Sequence, residues 1–95
     1  MEKFLMRMTE YEDDSTGICY GIHRTKKSAM WTIHYYKKGR PGGECQLNVL
    51  ARFHDPRNTQ QVLDDWADLT GKRYLSSRKV KIVSIEPDDY RLVEL

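Results

Sequence analysis

Cys19, His23, His34, Cys45 and His54 carry the most specific chemistry in this chain. Together they could hold a zinc ion, or pair a thiolate with an imidazole base. Their spacing argues against both. Cys19 and His23 would share a strand face, but they stand four residues apart, about 13 Å along an extended chain. Zinc donors must all lie within about 2.3 Å of the metal, and a nucleophile needs its base within hydrogen-bond reach. Cys45 would point to the core by parity. The chain holds neither a C-x-x-C pair nor a helical pair of histidines four apart. A Cys19–His34 contact across paired strands is conceivable, but His34 reads more simply as a polar residue on an exposed sheet face. Ser28, Ser76, Ser77 and Ser84 have no nucleophile-elbow context. The expectation is a non-enzyme with no catalytic residues, no metal and no cofactor.

Two further motifs are weak. Asp64, Asp65 and Asp68 crowd one helix face, where like charges repel by a few tenths of a kcal/mol. They read as a solvated face or as an acidic patch. The run Gly39-Arg40-Pro41-Gly42-Gly43 lacks the Gly-Lys-Ser/Thr ending of a phosphate-binding loop and joins two strands rather than entering a helix. Pro41 and Gly42 suit the central positions of a type II turn, so the run is expected to be a hairpin tip.

The stronger signal is charge distribution. The net charge is only +2. Yet residues 18–43 carry six basic side chains and no acidic one, and residues 72–85 carry five and none. Acidic blocks flank both islands. Opposite blocks could lie side by side and neutralise each other across neighbouring strands. Alternatively the two basic islands could converge on one face and attract a polyanion. In the first island Tyr20, His23, Trp31, His34, Tyr35 and Tyr36 interleave with the cations. Aromatics and arginine dominate interface energetics. Arg24, Lys26, Lys27, His34, Tyr36, Lys37, Lys38 and Arg40 are therefore the expected partner-binding residues. No RNP-like run appears, and the pI of about 8.6 lies below the value of about 9 typical of strongly basic nucleic-acid domains.

The elements that would position these residues follow from periodicity. Residues 4–11 alternate, with Phe4, Met6 and Met8 on one face. Residues 18–24 and 30–37 read as two more strands; Trp31, Ile33 and Tyr35 would face inward and Thr32, His34 and Tyr36 outward. Residues 45–53 read as a fourth, with Cys45, Leu47, Val49, Ala51 and Phe53 on one face. A helix follows, capped at Asp55 or begun at Asn58 or Thr59. Its stripe is Val62, Leu63, Trp66 and Leu69, and Gly71 stops it. Residues 79–85 form a further strand, and residues 90–95 a short last one. The expected fold is α+β: an antiparallel β-meander sheet of four to six strands with one α-helix packed on its apolar face. The expected core is Tyr20, Ile22, Trp31, Ile33, Leu47, Val49, Val62, Trp66, Leu69 and Ile82.

At 95 residues the chain suits one domain spanning 1–95. The first eight residues lack the apolar stretch of a signal peptide. No run approaches the roughly 20 apolar residues that cross a bilayer, so no membrane partner is expected. Two cysteines make no disulfide framework, which suits a cytoplasmic location. The sum is a small protein that docks on a macromolecular partner through a basic, aromatic sheet-and-hairpin surface. It could be an inhibitor or regulator of the accessory type that phages and mobile elements encode. A protein or nucleoprotein is the favoured partner, with free nucleic acid on the same surface as the alternative. The exposed edge of residues 4–11 allows a monomer or a homodimer.

Overall fold

Six strands and one helix arise from this pattern in the computed structural model, which describes residues 2–25, 28–37, 44–86 and 89–93. The strands are β1 (Glu2–Glu12), β2 (Ile18–Thr25), β3 (Met30–Lys37), β4 (Glu44–His54), β5 (Arg73–Glu86) and β6 (Asp89–Val93). The helix α1 (Thr59–Thr70) lies between β4 and β5. Every pairing is antiparallel. The order β1-β2-β3-β4-β6-β5 closes on itself as a barrel.

Closure corrects the expected fold class. The sheet is a six-stranded barrel, not an open meander with a helix packed on it. The strand that closes it is β5, which pairs with β1 from Glu2↔Ser84 to Glu12↔Arg73 and with β6 on its other side. Its first half, Arg73 to Arg78, breaks the apolar alternation with Tyr74, Ser76, Ser77 and Arg78. Periodicity alone therefore stops the strand short and leaves the sheet open.

This barrel buries apolar side chains on both sides of its wall. Met8, Cys19, Tyr36, Leu47, Val80, Ile82 and Leu92 come from all six strands and fill the interior. Tyr11, Ile22, Trp31 and Ile33 point the other way and are covered by Val62 and Leu63 of α1. Trp66 and Ala67 pack at the edge of that second cluster.

The helix ends are set locally. The side chain of Asn58 accepts the Gln60 backbone N–H at 2.9 Å. Gly71 adopts φ 65° and donates its N–H to the Ala67 carbonyl, a left-handed stop that a Cβ would strain. Trp31 Nε1 donates to the Asp55 carbonyl at 3.0 Å, tying the loop before the helix to β3.

Three core expectations change. Leu69 is 87% exposed. It falls at the margin of the helix stripe, and Ala67 packs in its place. Val49 is exposed although it keeps the parity of Cys45 and Leu47; it stands at a register shift beside Leu50, which is exposed too. The register shifts from Ile33↔Ala51 to His34↔Val49, leaving Leu50 as an extra residue. Cys45 and Leu47 then face the interior while Phe53 packs on the outer cluster. Tyr35 lies opposite Tyr20 and Asn48 and is exposed rather than buried.

Interior packing is tight where β1 crosses β2. A Cβ built on Gly21 would stand 2.1 Å from Met8 Sδ, and Met8 is fully buried. Gly21→Ala is expected to destabilise the fold by about 1 to 3 kcal/mol through overpacking. Urea denaturation measures this, and an unchanged midpoint would contradict the packing.

Candidate docking surface

The inner wall of the barrel contains a buried carboxylate. Glu10 is 5% exposed. It accepts hydrogen bonds from Tyr36 Oη, from Ser76 Oγ at 3.0 Å and from the Arg78 guanidinium. Burial pushes its carboxyl pKa up, but the bonds from Arg78, Tyr36 and Ser76 and the Arg78 charge outweigh that and lower it. Burial and the Glu10 partner raise the Tyr36 phenol.

His23 and His34 lie nearby, with Nε2 atoms 3.0 Å apart and rings stacked at 5.1 Å. One ring must donate and the other accept, so the two cannot both be protonated. Burial, then the Arg52 charge, depresses His23 to about 4. Burial, His23 and Arg52 do the same to His34, also to about 4.

This geometry moves two expected docking residues. His34 and Tyr36 are 4% and 3% exposed. The face opposite Trp31 and Ile33, which looks like the wet side of a sheet, becomes the inner wall once the barrel closes. Among the other expected residues, Lys37 is exposed at the end of β3. The Arg24 guanidinium lies over the Trp31 ring at 5.6 Å and donates to the Arg57 carbonyl. Lys26, Lys27, Lys38 and Arg40 lie outside the described residues. The hairpin tip lies outside them too.

Much of the second basic island is neutralised by the acidic block of β1 and the turn after it. Lys72 pairs with Asp13 at 2.9 Å, Arg73 with Glu12 and Asp14, and Arg78 with Glu10. Hydrogen bonds from Ser15, then from Lys72, hold the Asp13 carboxyl well below its usual range. Elsewhere Arg57 pairs with Asp55 and Asp65, and Arg91 with Asp89.

What survives is a set of cations on the outside of the β1–β5 ladder. Lys3, Arg7, Lys79 and Lys81 make no ion pair among the described residues. Arg7 stands directly opposite Lys79, and Leu5 opposite Lys81. Arg7 and Lys79 are exposed, and Arg7 donates to the Ser77 carbonyl at 3.2 Å.

At the β2 side this cationic face opens into a groove of about 620 Å³ between α1 and the outer wall. Arg7, Thr9, Tyr11, Tyr74 and Ser77 form its strand side, with Arg24 from β2. Thr59, Gln60, Leu63 and Asp64 form its helix side. Tyr74 is 58% exposed and meets Tyr11 edge-on at 5.9 Å.

Sequence reasoning missed Arg7, Tyr74, Lys79 and Lys81. A signal was present: Lys3, Arg7, Lys79 and Lys81 all have the opposite parity to the buried Met8, Val80 and Ile82. Linking them needed the β1–β5 pairing.

Neither cysteine forms a disulfide; Cys19 is buried, and Cys45 donates to the Lys37 carbonyl. Among the described residues no three His, Cys, Asp or Glu side chains gather as a metal site, and no helix is long and apolar enough to cross a membrane. Comparison with protein-family models, with curated proteins and with solved structures gives no match for this chain.

Two outcomes are expected. Glu10→Ala leaves the Tyr36 hydroxyl and the Arg78 guanidinium without their acceptor and should cost about 2 to 3 kcal/mol in chemical denaturation. The histidines set an acid limit. Their folded pKa values lie below the ordinary 6.5, so the unfolded chain binds more protons between pH 6.5 and about 4, and stability must fall as pH drops through that window. The pair should remove about 3 to 4 kcal/mol between pH 7 and pH 5. His34→Gln should flatten that slope, and an equal slope in the variant would contradict the burial.

Proposed function

We propose that this chain is a non-catalytic binding protein that docks on an anionic macromolecular partner through the outer β1–β5 face. What supports the reading is the Arg7–Lys79 pair. Like charges directly opposite on neighbouring strands destabilise a sheet. Lys3 and Lys81 add to that charge on the same ladder, whereas the cations at both ends of the acidic block are paired off. A surface that keeps uncompensated charge at a cost in stability fits selection for binding.

The partner carries dense negative charge, as an acidic protein, a nucleoprotein or a nucleic acid does, and the chain acts as an inhibitor or regulator of the accessory type that mobile elements encode. It works in the cytoplasm, where reduced thiols such as Cys19 and Cys45 persist, as a monomer or homodimer.

Charge reversal tests this. Arg7→Glu alone places opposite charges across the ladder and should hold or raise stability by a few tenths of a kcal/mol. Arg7→Glu with Lys79→Glu should abolish salt-sensitive capture of the partner from host lysate while the variant still melts cooperatively. Equal capture by wild type and double variant would overturn the proposal.

A further inference from the structure

Building on that docking reading, we infer that the partner is a single strand of nucleic acid, seated with its phosphates on the β1–β5 cations and a base in the groove beside α1. Three observations converge on this chemistry. First, the cations continue past the groove. Arg7 and Arg24 line it, and Lys79 and Lys81 extend from it along β5. Residues two apart on a strand repeat about every 7 Å on one face, so an extended polyanion meets more than one of them.

Second, the groove offers a ring platform beside that charge. Tyr74 is half-exposed at the groove and backed edge-on by Tyr11. Bases stack on such rings regardless of sequence. Arginines and an exposed aromatic ring lining one groove can take phosphates and a base of the same strand.

Third, the two walls differ in chemistry. The strand wall is cationic with the hydroxyls of Thr9 and Ser77, while the helix wall presents Gln60 and Asp64. Asp64 repels phosphate and can accept from an exocyclic amine of a base. The strand is thereby oriented, phosphates toward β1 and β5 and base edges toward α1. A volume of about 620 Å³ is in the range of small-ligand sites, room enough for one unpaired nucleotide. A flat acidic protein surface would leave the groove and Tyr74 unused.

The test is fluorescence anisotropy with a labelled single-stranded DNA of about 12 nucleotides and with the same DNA annealed to its complement. Four contacted phosphates give a slope of log affinity on log salt near −3, or about fifty-fold weaker binding at about 200 mM than at about 50 mM salt. Arg7→Ala with Lys79→Ala should weaken binding and roughly halve that slope. Tyr74→Ala should cost about ten-fold with the slope unchanged. No binding at about 50 mM salt, a duplex bound as tightly as the single strand, or an indifferent Tyr74→Ala would each overturn the inference. If the oligonucleotide fails while charge reversal still abolishes lysate capture, the strand assignment alone falls. If capture is also unchanged, the docking reading falls with it.

Discussion

The structure depends on one buried negative charge. Glu10 sits on the inner wall of the barrel and is held by groups from two other strands, Tyr36 of β3 and Ser76 and Arg78 of β5. A carboxylate in that position is tolerable only when its lone pairs are filled. Filling them requires β5 to lie along β1 with Ser76 at the register where it stands, opposite Glu10. The polar half of β5 is thus recruited to the sheet by hydrogen bonding rather than by hydrophobic alternation, and the barrel closes. Buried ionic groups are weak sources of net stability but can specify one arrangement among several, and here that arrangement is closure.

Closure then decides where charge can be found. With β5 against β1, the basic side chains of residues 72–78 meet the acidic ones of residues 10–14 and are neutralised. Further along the same ladder β1 has only Lys3, Leu5 and Arg7 on its outer side, so Lys79 and Lys81 find no carboxylate there. The neutralised end and the cationic end belong to one continuous pairing. Neutralisation by a neighbouring strand thus holds for residues 72–78, while Lys79 and Lys81 meet Lys3 and Arg7 of β1 rather than the first basic island.

Much of this was legible in the sequence, and the losses have physical reasons. The limits of β3 and the stop at Gly71 follow from alternation and from capping chemistry. Alternation puts Trp31 and Ile33 in the core, and they are buried there because a helix covers their face. Alternation sends His34 and Tyr36 outward because it only says that two faces differ. It does not say that the second face is dry, and here the barrel interior buries it while α1 covers part of the first. Alternation puts Ala51 and Phe53 on the face of Leu47, but the extra residue Leu50 reverses parity within β4, and nothing in the local pattern announces it. Arg7, Lys79 and Lys81 do not read as one surface in the sequence because their proximity is a long-range property of the β1–β5 register.

The claim beneath all of this is that β5 is an interior strand of a closed sheet, paired on both sides. Residue-resolved hydrogen exchange by NMR measures it directly. Backbone amides of Met6, Met8, Val80 and Ile82 should exchange as slowly as those of Ile22 and Ile33, because all lie in paired strands of one cooperative unit. Fast exchange confined to β1 and β5, with β2 to β4 protected, would mean an open sheet and would contradict the account.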